Sequence, residues 1–273
     1  MANNITNTEA AAFIDSVISK EVIREVNPKL VLANLVKRFD KEAKLGATIT
    51  VPSVSNFVAN DKVANVSVAP QANTETSVTI SVDQHKETSF YVEDITELQS
   101  DRALMSQYSE AASTAIARAI DSSLAALASG FSQTYGTYNT AITTDVVLDS
   151  IEALDSADAP ETERYFVFRP DVKRDLLDLA AYTSSDYVGG TPVETGNIGS
   201  LYGVQTFMST NLVKTGNNTN NMLFQREALA LAMAQAPRAQ TSYELSELAH
   251  LMVVDAVYGV TELRDTFGVL VKT

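Results

Sequence analysis

The chain has 273 residues, 45% hydrophobic and 20% charged, an ordinary globular composition with enough apolar surface for one large core or two small ones. Its 34 acidic against 20 basic residues leave a net charge of −14, the reverse of what a protein wrapping nucleic acid through its phosphates needs. Cysteine is absent, which excludes a disulfide framework and thiol chemistry, and no apolar run is long enough to cross a bilayer as a helix.

The N-terminal stretch Met1–Ile5 lacks the basic start and apolar centre of a signal peptide. A polar arm leads into an amphipathic helix with Ile14, Ile18 and Val22 on one face, ended by Pro28. Leu30–Phe39 predicts a second short apolar helix. Lys37, Arg38, Lys41 and Lys44 make this region locally positive, facing solvent, a partner subunit or DNA.

Two extended runs follow, Ala47–Val58 and Ser77–Glu93. In the second, Val78, Ile80 and Val82 alternate with Thr79, Ser81 and Asp83, and Phe90 and Val92 continue the face. Strands usually have about five or six residues, so a single strand of this length is expected to reach beyond its own domain. The polar tract Ala59–Thr76 between the runs reads as the loose tip of a long hairpin. Such a two-stranded ribbon is marginal in water, so it flexes, lies on another subunit, or folds back solvated on its own domain.

Asp94–Glu97 predicts a capped turn, and Ser100 a helix cap. Leu104, Tyr108, Ala112, Ile116, Ile120 and Leu124 then recur every fourth residue to Gly130, where a left-handed stop is expected. At 1.5 Å per residue this helix is roughly 40 Å long. Gln133–Thr144 reads as a connector.

From Asp145 the pattern is α/β. Asp145 is expected to cap a helix with Val147, Leu148, Ile151 and Leu154 inward. Tyr165–Phe168 reads as a strand, and Pro170 opens a helix with Val172, Leu176, Leu177 and Leu179. Ala181–Asn197 reads as a long Ser/Thr/Gly loop. Val204–Met208 and Leu223–Met233 read as strands around the polar tract Lys214–Asn221. Tyr243–Tyr258 and Thr261–Val271 are expected as final strands pairing with the hairpin base or the long helix.

Enzyme chemistry finds little support. Asp83, His85 and Glu87 share one strand face, but neighbours there stand nearly 7 Å apart, too far to converge on one ion without a bend. His250 sits in an apolar run, as a structural histidine would. No phosphate-binding loop and no nucleophile elbow occur; Gly196, Gly199 and Gly203 precede a strand and read as turn glycines. Asp155/Asp158 and Glu161/Glu163 flank Pro160 as surface carboxylates do. The expectation is no enzyme, no cofactor, no metal and no catalytic residue.

Several segments, taken in order, resemble the major capsid proteins of tailed bacteriophages. They are Leu30–Arg38; Asp83-Gln-His85 with Phe90–Asp94; Gln99–Asp101 with Leu104-Met105; Arg164–Asp171; Gly196–Val204 with Ser209–Leu212; and Leu251–Val260. The sequence departs from many relatives in having no Trp. The resemblance implies an α+β Hong Kong 97 type capsid fold. Its parts would be an N-terminal arm (1–44), an extended hairpin loop (45–93), the spine helix of a peripheral domain (94–139), an axial α/β domain (140–242) and return strands of the peripheral domain (243–273).

It further implies a structural protein of the virion capsid, present in the host cytoplasm during assembly. Hexamers and pentamers of identical copies would form an icosahedral shell around double-stranded DNA, without sequence-specific binding and without a membrane. An acidic wall that repels the genome fits that role; plain solubility explains the charge equally. A portal protein is an implied partner. Since Met1 stands only about a dozen residues before the arm helix, too few for a fused scaffold domain, a scaffolding protein is expected in trans. The expected interface residues are Asn60, Asp61, Lys62, Val63, Val66, Val68 and Gln71 in the hairpin tip, and Ser184, Ser185, Asp186 and Tyr187 in the long loop. Rival readings are an encapsulin-like compartment of the same fold, a cell-surface or filament subunit, and an α/β-hydrolase-like enzyme, which lacks a nucleophile–base set.

Overall fold

The computed structural model describes residues 4–5, 31–54, 57–93, 104–179 and 200–273, apart from 45, 47, 63, 66, 69, 73 and 74. The expected arm helix at Ile14, Ile18 and Val22, the Asp94–Glu97 turn, the Ser100 cap and the loop 181–197 lie outside the described residues.

The chain is a mixed α+β fold. A short strand β1 (Asn4–Ile5) is followed by α1 (Leu32–Leu35), β2 (Lys37–Arg38) and α2 (Asp40–Ala43). The apolar run 30–39 is therefore mostly not helical: Val36 turns extended and Lys37–Arg38 pair with a strand. The reason lies outside the run: Lys37 and Arg38 pair with Ala230 and Leu231, and the start of α1 is capped from a distance. Asp121, fully buried, accepts hydrogen bonds from the Val31 and Ala33 amides at 2.9 and 3.0 Å and from the Asn211 side chain at 3.2 Å.

Next come β3 (Thr48–Val54), β4 (Glu75–Ser81) and β5 (Gln84–Glu93). The expected single strand 77–93 is two strands, broken at Val82–Asp83, because its halves serve different partners. β4 pairs only with β3, antiparallel from Thr48↔Ser81 to Val54↔Glu75. β5 joins a five-stranded sheet of order β1-β5-β13-β12-β2, where β12 is Leu229–Glu244 and β13 is Ala249–Glu262. The long helix α3 (Leu104–Ala126) covers one face of this first sheet. Its stripe Ala112, Ile116, Ile120 and Leu124 is buried as spaced, and Tyr108 packs on Phe90 with ring centroids 5.5 Å apart. Gly130 closes a 3-10 turn (Leu127–Gly130) and does not adopt the left-handed stop expected of it. A Cβ there would stand 2.9 Å from Glu262 Oε2, a flexible side-chain end that can move aside.

The second sheet has order β6-β14-β11-β7-β9-β8, with β10 beside β11. Its strands are β6 (Gln133–Gly136), β7 (Arg164–Phe168), β8 (Ser200–Leu201), β9 (Val204–Met208), β10 (Lys214–Thr215), β11 (Asn218–Gln225) and β14 (Gly268–Lys272). It carries α4 (Thr144–Ser156) and α5 (Pro170–Asp178). Thr143, not Asp145, caps α4 by accepting from the Val146 amide. Leu148, expected inward, is exposed, whereas Val147 and Leu154 are buried. Part of the polar tract 214–221 is strand core: Asn221 is fully buried, accepting from the Arg169 amide and donating to Val271 O and Thr273 Oγ1. Buried Arg164 ties the 155–164 turn by bonding Asp155 at 2.6 Å and the carbonyls of Ala159 and Pro160. Asp155 and Glu163 thus serve ion pairs, the latter with Arg226.

Two expected strands need redrawing. Leu223–Met233 is interrupted by the 3-10 turn Arg226–Ala228, and its second half is the start of β12, which runs on to Glu244 and crosses to the first sheet. The chain thus passes from the second sheet to the first at 228/229. Likewise 261–271 is split by a 3-10 turn, Asp265–Phe267, and β14 returns to the second sheet between β6 and β11. One apolar core runs through both sheets, from Leu32 and Ile120 to Phe166, Leu223 and Val269.

Candidate assembly interface

The ribbon β3–β4 is anchored at its root. Ile49 and Ile80 are buried with Ala43, Ala230 and Ala232, and Phe39, Val51 and Leu263 pack around them. The seat is Gly259 in β13. A Cβ there would lie 2.1 Å from the Ser81 carbonyl oxygen, so only glycine lets the ribbon backbone rest on the sheet. The arm segment braces the same place, with the Phe39 amide bonded to Leu231 O and the Met233 amide to Asp40 Oδ1.

Beyond the root the ribbon leaves the body. Phe57, Val58 and Val68 are 66%, 68% and 71% exposed. Of the expected tip residues, Asn60, Asp61, Lys62, Val68 and Gln71 are exposed; Val63 and Val66 lie outside the described residues, as do Ser184, Ser185, Asp186 and Tyr187 of the long loop. Gln71 is engaged within the loop. Its side-chain carbonyl accepts from the Val58 amide at 3.1 Å and its amide donates to the Val58 carbonyl. That reciprocal pair imitates one rung of a sheet and holds the two sides of the tip together.

Phe57 and Val58 were not among the expected contacts, although they end the first extended run. A second exposed apolar feature was also missed. Tyr243–Tyr258 is not one strand: it turns at 245–248, where Leu245 and Leu248 are 79% and 63% exposed and Leu248 takes a φ of 46°. Glu244-Leu-Ser-Glu-Leu248 holds no Gly or Pro to mark the turn. Below it, Tyr243 and His250 stack edge to face at 5.0 Å across the strand pair.

The face of the first sheet away from α3 carries a charged cross-tie. Asp255, nearly buried, accepts from Arg238 Nε at 3.0 Å, Gln235 Nε2 at 2.9 Å and His85 Nε2 at 3.2 Å. The Arg238 guanidinium, aided by His85 and Gln235, holds the Asp255 carboxyl below its usual range. One carboxylate so links β5, β13 and β12, and His85 belongs to it. In the basic cluster, Lys37 pairs with Glu227 at 2.7 Å and Arg38 with Asp40 at 2.8 Å, while Lys41 and Lys44 are exposed. The Lys37 hydrogen bond lowers the Glu227 pKa. Among the described residues no group of three or more His, Cys, Asp or Glu side chains is placed to hold a metal ion.

Residues 31–266 match the family model described as phage capsid protein. Among solved structures, a chain from Mycobacterium phage Che8 superposes with a TM-score of 0.81 at 23% identity, covering 95% of this chain and 97% of that one. The capsid structure of cyanophage P-SCSP1u gives 0.77 at 15% identity over 99% and 96%. The capsid of Myoviridae phage XM1 gives 0.69 at 14% over 94% and 96%. No curated protein matches. At these identities the structures speak to the fold, which is the Hong Kong 97 type.

Proposed function

The chain belongs to the phage capsid protein family, and from that premise we propose that its copies assemble unaided by catalysis into an icosahedral head around double-stranded DNA, each hairpin tip resting on a neighbouring subunit. It is a capsid shell protein; the finer reading rests above all on one observation. The ribbon is anchored at its root by Gly259, Ile49 and Ile80, yet presents Phe57, Val58 and Val68 to solvent. Large apolar groups held out on a braced arm mark a contact surface. Copies joined arm to body make heterologous contacts, which close into rings such as hexamers and pentamers. The interface then comprises the tip residues 60–71, and the loop 184–187 is proposed as a second contact. The net charge of −14 fits a wall that does not hold DNA tightly. A scaffolding protein in trans and a portal complete the proposed assembly.

Deletion of residues 59–76 tests it. The expected result is a soluble subunit melting like the parent that forms no shells by electron microscopy. Normal shells from this variant would sink the reading. Expression of the intact chain alone tests the scaffold: tubes, spirals or odd-sized particles support a separate scaffold, and uniform shells refute the need for one. Particles filled with a host enzyme instead of DNA would favour the compartment reading.

A further inference from the structure

The second sheet ends at β6, and among the described residues no strand lies beyond it. β6 pairs in parallel with β14, from Gln133 opposite Val269 to Gly136 opposite Lys272. Its other edge therefore turns backbone N–H and C=O groups outward, a template on which a further strand can form. Helix α4 packs over β6 and β14. Between this helix and the edge strand lies a groove of 580 Å³. Gln133 and Tyr135, alternate residues of β6, face into it.

The groove has a definite chemistry. Asp149 and Glu152, three apart on one face of α4, line it, and no lysine or arginine does. Both are exposed, and among the described residues neither is in an ion pair; Asp155, further along the helix, is taken by Arg164. Gln133 supplies an independent sign. Its side-chain oxygen is buried without a hydrogen-bond partner. Buried acceptors are nearly always paired, so this one marks a place where a donor is missing. The remaining wall is formed by Ala153, Ala157 and the Tyr135 ring, surfaces that suit the aliphatic stem of a long basic side chain.

We propose that this groove takes an extended segment of a partner protein, laid on the edge of β6 as an added strand with a lysine or arginine directed between Asp149 and Glu152. The backbone of β6 supplies affinity and the groove reads the side chain. The basic head donates charge-assisted hydrogen bonds to the two carboxylates. The same two charges repel phosphate, so the occupant is a protein and not nucleic acid. The chain's own ribbon is the poorer match, since its tip, residues 57–76, holds a single basic residue, Lys62, next to Asp61. That ribbon is rooted on the first sheet, so this site does not depend on how the tip is used.

The test uses the full chain and a fluorescein-labelled peptide of sequence Thr-Val-Lys-Val-Thr. Saturable binding is expected by anisotropy, with slowed deuterium uptake in the fragment holding Thr134 to Gly136. The double variant Asp149→Asn with Glu152→Gln, altered only at exposed positions, should melt like the parent and bind the peptide about tenfold more weakly or worse. The parent should show a similar loss toward a peptide with glutamate in place of lysine. Spermidine, which offers ammonium groups but no strand, should displace the peptide far less well than unlabelled peptide does. Lack of saturable binding, equal affinity for the double variant, or unchanged uptake at β6 would each overturn the proposal. Spermidine competing as well as the peptide would reduce the groove to a small-cation site and overturn the added strand. Protection of β6 that grows with protein concentration, without peptide, would make a second copy the occupant and overturn the partner.

Discussion

The root and the tip of the ribbon are made of the same two strands, yet they obey opposite rules. At the root, Ile80 is fully buried, Ile49 nearly so, and backbone touches backbone at Gly259. At the tip, three large apolar side chains stand in water around a Gln71 clamp. The root is finished within the subunit; the tip is shaped but left uncovered. On the reading proposed above, stability and assembly are separated along one element, so substitutions should report on one or the other according to where they fall.

The contrast can be broken most forcibly at the seat. Gly259→Val drives a side chain into the Ser81 carbonyl, which cannot yield as a flexible side chain would. A loss of about 3 kcal/mol or more is expected in denaturant unfolding, with the ribbon displaced. A variant that unfolds like the parent would show that the ribbon does not rest there. Ile80→Ala, which empties a fully buried site, should cost about 2–5 kcal/mol. If it costs no more than a surface change, the root is not part of the core.

Smaller effects sharpen the distinction. Gln71→Ala removes both bonds to Val58 and should destabilise the tip locally by about 0.5–1.5 kcal/mol. Amide exchange at Val58 should quicken while the global melt stays put; a lowered global melt would join the tip to the body. Val68→Ser should change subunit stability by no more than about 0.5 kcal/mol, because the side chain is 71% exposed. Its effect should appear only in shell yield, measured by sedimentation. Equal yields would remove Val68 from the interface.

How far the sequence could be read depended on whether the deciding contacts were local. The spine stripe Ala112–Leu124 and the Pro170 helix start were legible because period and cap lie within a few residues. The extended character of 48–54 and 77–93 was legible for the same reason. The break at Val82–Asp83 was not, since it marks a change of partner and not a change of pattern. Likewise the short α1 is defined by Asp121, 90 positions away from Val31. The start of β12, residues 229–233, and β14 were expected as strands but in the wrong company, because alternation names a strand and says nothing of its neighbour; residues 234–242 were not read as strand. At the candidate site, polarity drew attention to Asn60, Asp61 and Gln71, while Phe57, Val58, Leu245 and Leu248 looked like ordinary strand residues.

The order of the strands also bears on how a new subunit comes into being. β13 lies in the middle of the first sheet between β5 and β12, and β14 lies in the second between β6 and β11. Neither sheet can close until residues 249–272 have left the ribosome. At about 5–20 residues per second, β5 emerges on the order of 10–30 s ahead of the strand it must pair with. Through that interval the nascent chain carries an unpaired strand and a bare helix stripe, the kind of surface that makes incomplete chains prone to aggregate. In the assembly proposed above, the Gly259 seat is made well after the ribbon strands β3 and β4, so an arm is braced only once β13 of its own chain has emerged.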